Sequence, residues 1–326
     1  MAVIKLKELS EKEDRLTGGH RMCAGCGAPI VVRQMLLAID EPVVIANATG
    51  CLEVATTIYP YTAWKMPWIH SAFENAAATI AGVESMYRSL KQQKKLPVDK
   101  DIKFIAFGGD GGTYDIGLQS LSGALERGHN FMYVCYDNGA YMNTGIQRSS
   151  STPFGADTTT SPAGKAIPGK QQNRKDLTKI CVAHNIPYAA QASPHNWKDL
   201  MEKTRKAMSL EGAKFMNVIA PCNRGWRTQT NDAIMLSKLA VNTCFWPLYE
   251  VEYGVTTVNY APKKNRRPIV EWLKPQGRFK HLFKPGNEWM LAKFQEYVDD
   301  QWRAVVKLHN EAHPADQIDP EEGKTW

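Results

Sequence analysis

Four short apolar runs, separated by segments of helical character, constrain the fold of this chain more than any other feature. The runs predict buried strands over residues 43–46, 103–107, 131–135 and 215–219. Helix-like segments are expected near residues 72–91, 116–127, 174–184 and 196–209. Strands that alternate with helices typically form a parallel sheet with both faces covered. The sequence therefore predicts an α/β fold built on a parallel sheet.

A chemically distinctive residue follows each of these predicted strands. Cys51, Asp110, Asn138 and Cys222 come shortly after the first, second, third and fourth strand respectively. In open parallel sheets, ligands bind at the edge formed by the carboxyl ends of the strands. We therefore expect a metal centre and a phosphate-bearing ligand to share one edge of the sheet.

The segment Gly109-Asp110-Gly111 and the later Asn138 indicate a site for a magnesium-bound diphosphate. Glycines let the backbone approach phosphate oxygens, and a following helix offers free N–H groups to the anion. Carboxylate and amide oxygens are ligands that Mg²⁺ accepts together with phosphate and water. The run lacks the spacing of a dinucleotide-binding fingerprint. A simple tight turn is the alternative interpretation of the glycines.

Four cysteines, Cys23, Cys26, Cys51 and Cys222, are candidates for a metal centre. Only the first two form a close pair, whereas structural zinc usually binds two such pairs. The pattern favours an iron–sulfur cluster over zinc and leaves unligated thiols as a further alternative. The remaining cysteines lie in apolar contexts and are expected to be small buried side chains; they are Cys135, Cys181 and Cys244.

Several segments together resemble one enzyme family. Residues 23–27, 108–117, 137–138 and 141–147 are similar to the β subunit of 2-oxoacid:ferredoxin oxidoreductases, and residues 59–64 and 73–77 to its pyruvate branch. The similarity runs from about residue 19 to about residue 253, which is most of the chain. It implies a parallel-sheet fold that binds thiamine diphosphate, followed by a C-terminal extension.

The resemblance also implies roles for individual residues. Cys23, Cys26, Cys51 and Cys222 would bind one 4Fe–4S cluster, and Asn143 would be a catalytic amide facing the substrate, with a turn residue as its alternative role. Asp110, Asn138 and the Ala140 carbonyl would bind Mg²⁺. The residues implied to contact thiamine diphosphate are Gly50, Cys51, Gly109, Asp110, Gly111, Gly112, Asn138, Ala140, Asn143 and Thr144.

The implied reaction is the oxidative decarboxylation of pyruvate, a small 2-oxoacid, to acetyl-CoA and CO₂, with electrons passed through 4Fe–4S clusters to ferredoxin. Thiamine enzymes need a glutamate beside the aminopyrimidine, and this family supplies it from a separate pyrimidine-binding domain. We find no such second domain in the sequence. We therefore expect a partner chain that carries this glutamate, and a second, ferredoxin-like partner with several clusters.

Four residues depart from the pyruvate pattern: Tyr114, Gly139, Asn223 and Arg224. Because they lie in segments near the expected cofactor, an oxalate oxidoreductase β subunit, which yields two CO₂ without coenzyme A, is an alternative. A thiamine decarboxylase without redox chemistry is another. A non-catalytic, metal-stabilised assembly module is an alternative from a different class of protein.

We predict a thiamine diphosphate and 4Fe–4S domain over residues 1–260 and a basic extension over residues 261–326 that packs on partner subunits. The net charge of +7 comes partly from eight basic residues between positions 263 and 284. No nucleic-acid recognition motif accompanies them, so nucleic acid is not an expected partner. A charged N-terminus and the absence of a long apolar run predict a cytoplasmic protein with no membrane contact.

Overall fold

The computed structural model describes residues 4–96 and 101–326. Within these residues the chain builds one sheet of eight strands. The strands are β1 (Val43–Ala48), β2 (Trp68–Ser71), β3 (Lys103–Gly109), β4 (Met132–Asp137), β5 (Tyr188–Ala192), β6 (Lys214–Ile219), β7 (Leu248–Glu252) and β8 (Val255–Tyr260).

The strand order is β2-β1-β3-β4-β6-β5-β7-β8. The first six positions are parallel, whereas β7 runs antiparallel to β5 and β8 antiparallel to β7. The four strands predicted from apolar runs are β1, β3, β4 and β6, and they occupy four successive positions. Their carboxyl ends, each followed by a chemically distinctive residue, are therefore neighbours along one edge.

Helices cover both faces of this sheet. The α-helices of the described residues are α1 (Leu6–Ser10), α2 (Gly27–Leu37), α3 (Cys51–Thr56), α4 (Ala76–Gln92), α5 (Leu118–Glu126), α6 (Leu177–Val182), α7 (Trp197–Ser209), α8 (Asn223–Trp226), α9 (Ala233–Asn242), α10 (Ile269–Leu273) and α11 (Glu288–Ala312). Successive side chains of a strand point to opposite faces. Val134 and Tyr136 of β4 thus pack in the core beneath α2 and α7, while Tyr133 packs beneath α4 and α5.

A third apolar core joins the C-terminal part of the chain to the rest. It contains α9, α10, α11 and a 3₁₀ segment, Gly277–Phe283, and is rich in aromatic side chains such as Trp226, Trp272 and Phe279. Residues 261–326 therefore pack on their own chain, and Arg266 and Arg278 of the basic segment are buried. The other basic residues of that segment are exposed, and their contact with partner subunits stays a prediction.

The predicted α/β class with a parallel sheet is confirmed. The predicted helices correspond to α4, α5, α6 and α7, although the second is preceded by a π-helical turn, Gly111–Ile116. The sequence did not predict β2, β5, β7, β8 or the long α11. No helix within residues 4–96 and 101–326 has the length and apolar character needed to span a membrane.

Candidate cofactor and metal site

The loops after β1, β3 and β4 line a partly open cleft at the carboxyl edge of the sheet. Its lining includes Phe73 and Tyr136, which the sequence did not single out. It also includes every residue predicted to contact the cofactor, namely Gly50, Cys51, Gly109, Asp110, Gly111, Gly112, Asn138, Ala140, Asn143 and Thr144. The fold thus brings the candidate residues of three separate loops around one space.

Two glycines after β3 allow the walls of this cleft to come close together. A Cβ atom on Gly111 would lie 2.4 Å from the ring of Tyr141, and one on Gly112 would lie 2.9 Å from the carbonyl oxygen of Phe73. Real Cβ atoms do not tolerate such distances, so any side chain here would displace a wall of the cleft. The glycines of the motif are therefore required by packing within the chain as well as by any bound phosphate.

Three oxygen-bearing groups converge in the cleft: the Asp110 carboxylate, the Asn138 side-chain amide and the Ala140 carbonyl. One terminal atom of the Asn138 amide lies 3.0 Å from Asp110 Oδ1 and 2.9 Å from the Ala140 oxygen. If this atom is the amide nitrogen, it donates a hydrogen bond to each oxygen. If it is the amide oxygen, three oxygens face one another, which is an arrangement that favours a cation between them.

Asp110 is fully buried and is held by hydrogen bonds from its own chain. Ser149 Oγ donates to Asp110 Oδ2 at 2.5 Å, and the Asn138 N–H donates to Asp110 Oδ1 at 3.2 Å. Burial raises the pKa of Asp110 well above its usual value, and the neighbouring Asp137 carboxylate raises it further. A positive charge in the cleft would favour the ionised carboxylate.

Asp137 is the last residue of β4, and its carboxylate fixes the start of the loop that contains Asn138 and Ala140. It accepts hydrogen bonds from Ser151 Oγ at 2.6 Å, from the Tyr114 hydroxyl at 2.7 Å and from Arg174 Nη2 at 2.8 Å. Sequence reasoning gave Asp137 no role, although it directly precedes Asn138. The hydrogen-bond partners of Asp137 cannot be predicted from a local motif, because they come from segments far apart in the sequence.

The Cys-x-x-Cys segment packs tightly against the chain that follows β6. Gly25 has a φ of +78°, and a Cβ atom there would lie 1.9 Å from the Thr230 carbonyl oxygen. The Gly27 N–H donates to the Pro221 oxygen at 2.9 Å, one residue before Cys222. Only glycine fits such a left-handed, crowded position, so these residues bring the paired cysteines beside the fourth one.

Burial and neighbouring thiols raise the pKa of three of the four candidate cysteines, Cys26, Cys51 and Cys222. Burial raises the pKa of Cys26 to about 12, and Cys222, Cys51 and Cys23 add to the shift. Burial raises the pKa of Cys51 to about 11, with further contributions from Cys222 and Cys23. In the part of the chain that the structure describes, no three His, Cys, Asp or Glu side chains form a site for a metal ion. The remaining cysteines, at positions 135, 181 and 244, are buried as expected.

Asn143 joins the cleft to the cysteines. Its side chain is exposed, and its Oδ1 lies 3.8 Å from the Cys51 sulfur, at a distance suited to a weak S–H hydrogen bond. Two of the residues that depart from the pyruvate pattern point away from the cleft. Tyr114 is buried against Asp137, and Gly139 lies against Arg278. Neither Tyr114 nor Gly139 lines the cleft.

Comparison with known proteins identifies first the class and then the family. Residues 48–218 match the family described as "Thiamine pyrophosphate enzyme, C-terminal TPP binding domain", which covers more than half of the chain and all of the cleft loops. The chain thus contains a domain of the class that binds thiamine diphosphate. A 2-oxoglutarate:ferredoxin oxidoreductase from Magnetococcus marinus has the same fold, with a TM-score of 0.53 and 20% identity over 69% of this chain and 79% of that one.

Closer relatives narrow the class. The chain is 53% identical over 307 residues to pyruvate synthase subunit PorB of Thermotoga maritima, covering 93% of this chain and 94% of that protein. It is 42% identical over 297 residues to ketoisovalerate oxidoreductase subunit VorB of Pyrococcus abyssi, covering 91% and 94% respectively. The chain therefore belongs to the family of β subunits of 2-oxoacid:ferredoxin oxidoreductases, which act in multi-subunit complexes. This membership argues against the non-catalytic assembly module.

Proposed function

We propose that this chain is the catalytic β subunit of a pyruvate:ferredoxin oxidoreductase that binds thiamine diphosphate, Mg²⁺ and one 4Fe–4S cluster. The observation that carries the proposal is the contact between two sites. The cleft lined by Asp110 and Asn138 meets the four-cysteine site where Asn143 approaches Cys51 at 3.8 Å. When bound, thiamine diphosphate supplies the electron sink for decarboxylation of a 2-oxoacid, and the cluster accepts electrons one at a time.

The distances in the cleft support magnesium. Mg²⁺ requires near-ideal octahedral geometry at about 2.0–2.1 Å, so neighbouring ligand oxygens lie about 3 Å apart. The Asn138 amide atom lies 3.0 Å from Asp110 Oδ1 and 2.9 Å from the Ala140 oxygen. These separations are those of two hydrogen bonds when the atom is the amide nitrogen, and those of adjacent octahedral ligands once the amide is turned to present its oxygen to the ion. These three groups would hold the ion, and diphosphate oxygens and water would complete its coordination.

Two features of the cysteine site support a four-iron cluster. The Gly27 N–H donates to the Pro221 oxygen at 2.9 Å, which brings the Cys23–Cys26 segment beside Cys222. In such a cluster each thiolate binds a different iron, so the thiols need not converge on one ion. The Gly225 N–H lies 3.4 Å from the Cys222 sulfur, and backbone donors of this kind tune iron–sulfur sites. Cys23, Cys26, Cys51 and Cys222 would be the ligands.

The substrate is assigned by relatedness and by the surface of the cleft. The relative at 53% identity is named for pyruvate and the one at 42% identity for ketoisovalerate. Tyr114 and Gly139, which suggested oxalate, point elsewhere. We therefore favour pyruvate, with coenzyme A as acceptor of the acetyl group. The Asn143 amide would donate a hydrogen bond to the substrate carboxylate or to the negative charge that develops on its oxygen.

The partners follow from what this chain lacks. We identify no pyrimidine-binding domain with the activating glutamate in this sequence, so we propose a partner chain that carries it. We also identify no cysteine motifs for further clusters, so we propose a ferredoxin-like chain that passes electrons to ferredoxin. Six exposed basic residues lie between positions 263 and 284 and offer a surface for acidic partners; they are Lys263, Lys264, Arg267, Lys274, Lys280 and Lys284. The cytoplasm is the expected location of such a complex.

The decisive experiment is an assay of the purified complex for ferredoxin reduction. Pyruvate, ketoisovalerate and oxalate are each supplied with and without coenzyme A, and iron, zinc and thiamine are measured in the same sample. We expect iron, thiamine and pyruvate oxidation that requires coenzyme A. Oxalate oxidation without coenzyme A would replace pyruvate by the oxalate alternative. Zinc in place of iron would overturn the assignment of the cluster.

A further inference from the structure

The hydroxyl of Tyr136 is a buried polar group without a partner. Tyr136 is 2% exposed, and its Oη donates no hydrogen bond to any residue that the structure describes. A buried tyrosine hydroxyl normally has a partner, and a buried polar group without one costs about 1–3 kcal/mol. The hydroxyl therefore has no hydrogen-bond acceptor among residues 4–96 and 101–326. Its proton is available to a group that binds in the cleft.

The hydroxyl of Tyr136 lies beside the loop that follows β1, so its acceptor must be reachable from that loop. The ring of Tyr136 crosses Gly109, where a Cβ atom would lie 3.4 Å from it, and reaches the loop after β1. A Cβ atom on Gly50 would lie 2.8 Å from Tyr136 Oη. Gly50 directly precedes Cys51, and both line the cleft together with Tyr136. The hydroxyl thus lies beside the backbone that presents the third cysteine.

A second tyrosine of β4 shows that the missing partner is specific to this position. Tyr133 is also buried, but it points to the opposite face of the sheet. Its hydroxyl lies 3.2 Å from Thr113 Oγ1 and so has a hydrogen-bond partner. Two buried tyrosines three positions apart on one strand therefore differ in whether the chain itself satisfies them.

The electrostatic setting favours a sulfur acceptor. A tyrosine hydroxyl keeps its proton at neutral pH and therefore remains a donor. Gly50, which this oxygen approaches, directly precedes Cys51, a candidate ligand of the cluster. A protonated donor beside a metal-bound thiolate forms a charge-assisted hydrogen bond.

We propose that the Tyr136 hydroxyl donates a hydrogen bond to the sulfur of Cys51 when that residue ligates the cluster. The inference rests on the proposed function, because it requires a cluster at the four cysteines. Tyr136 then tunes the electron acceptor: a donor to a cluster sulfur stabilises the more negative, reduced form and raises its reduction potential. The same strand that ends in the magnesium loop would thereby set the potential of the cluster.

The test is Tyr136→Phe in the whole complex, with Tyr133→Phe as the matched control. Redox titrations followed by electron paramagnetic resonance measure the cluster potential, and iron and thiamine are quantified. For Tyr136→Phe we expect unchanged iron and thiamine and a more negative potential. A tenfold change in the redox equilibrium corresponds to about 59 mV for one electron. Tyr133→Phe removes a buried hydroxyl from the same strand and should leave the potential unchanged.

A second variant displaces the hydroxyl without removing it. Gly50 has a φ of 163°, an extended conformation that alanine adopts without strain, and its added Cβ would lie 2.8 Å from Tyr136 Oη. Gly50→Ala should therefore shift the potential in the same direction as Tyr136→Phe. In the double variant the crowded oxygen is gone, so the two shifts should not add. Gly50→Ala alone still tests the proposal if Tyr136→Phe loses its cluster.

The outcomes separate the inference from the proposed function. Full iron with an unchanged potential in Tyr136→Phe overturns the inference alone. Loss of thiamine with an unchanged potential also overturns it, because the hydroxyl would then serve the diphosphate. A wild-type complex without iron overturns the proposed function and the inference together. Electron–nuclear double resonance in D₂O should also show an exchangeable proton near the cluster that Tyr136→Phe lacks.

Discussion

Two neighbouring halves of the sheet edge differ in how their polar groups are satisfied. In the carboxylate half, defined by Asp110, Asp137 and the loop 149–152, every carboxylate oxygen accepts a hydrogen bond from the chain itself. In the cysteine half, defined by the four candidate ligands and the residues next to them, buried polar atoms have no partner among the described residues. They are Tyr136 Oη and Asn223 Oδ1; beside the carboxylate half, Arg174 Nε and Asn217 Oδ1 also have no partner.

The difference indicates which half is formed in advance and which depends on what binds. Hydrogen bonds hold the carboxylate half in shape, so it needs little rearrangement to accept a cation and a diphosphate. Each unpaired buried group of the cysteine half costs about 1–3 kcal/mol until a partner satisfies it. We therefore expect ligand binding to leave the first half nearly unchanged and to stabilise the second.

The largest expected effect comes from Asp110→Ala. This change removes one of three convergent oxygens and leaves the Asn138 amide and the Ala140 carbonyl without their anionic partner. Outer-shell changes alone weaken metal binding by about 10–100-fold, so loss of the carboxylate should exceed about 100-fold. Thiamine and magnesium measured after gel filtration should be absent, whereas iron should be retained because the cysteines are untouched.

Asp115→Asn is the matched control for this change. Asp115 lies in the adjoining π-helical turn and accepts a hydrogen bond from the Ser150 N–H at 2.9 Å, outside the cleft lining. The control should retain thiamine. Normal thiamine content in Asp110→Ala would contradict the magnesium site, and loss of iron in the same variant would show that the two halves are not independent.

Two buried arginines give the next largest expected effect. Arg174 pairs with Asp137 at 2.8 Å, and its guanidinium stacks 4.4 Å from the ring of Trp246. Removing one partner of a buried ion pair leaves the other charge uncompensated, which typically costs about 3–5 kcal/mol. Arg174→Met should therefore lower the free energy of unfolding by about that amount, as measured by urea denaturation of the chain.

Arg278 lies between the two halves, because it contacts Gly139 of the loop after β4 and Trp226 of the helix that follows Cys222. It is 2% exposed and stacks 4.3 Å from Trp226, and no carboxylate of the described residues pairs with it. Burial lowers its pKa to about 9, although Cys222 and Asp137 oppose the shift. Without the cluster, Arg278→Met should lower the free energy of unfolding less than Arg174→Met does. With the negatively charged cluster bound, Arg278→Met should lower it by more than it does without the cluster. Equal costs in both states would contradict this.

The sequence predicted the centre of the sheet better than its margins. The strands β1, β3, β4 and β6 are buried on both faces and therefore appear as continuous apolar runs. β2 is short and partly exposed, and β5 contains Gln191 among alanines, so neither has such a pattern. The candidate cofactor residues could be proposed from the sequence because they lie in the loops that follow central strands.

The partners of those residues were not predictable in this way. Ser149, Ser151 and Arg174 come from a long segment without regular structure, and only tertiary packing brings them to Asp110 and Asp137. Tyr136 has the pattern of an ordinary strand residue, and nothing in the sequence indicates that its hydroxyl lacks a partner. Local motifs thus indicate candidate ligands, whereas the groups that would orient them depend on the complete fold.

The smallest expected effect concerns Lys170, which supports the carboxylate half. It is 1% exposed, and its Nζ donates to the Thr152 carbonyl oxygen at 2.5 Å. Burial lowers the pKa of Lys170 from 10.5 to about 7, and Arg148 and Arg174 lower it further. Between these two values the unfolded chain binds the proton and the folded chain does not. The contribution of Lys170 to stability therefore rises with pH across this window.

Lys170→Met should remove this dependence. The free energy of unfolding is measured by urea denaturation at pH 7, 8 and 9. The wild-type value should rise relative to that of the variant by at most about 1.4 kcal/mol per pH unit, which is the limit for one proton. Lys165→Met, which changes an exposed lysine of the same loop, should follow the wild type. Parallel pH profiles for wild type and Lys170→Met would mean that Lys170 is protonated in the folded chain throughout. The carboxylate half would then contain a buried charge that its own hydrogen bonds fully satisfy.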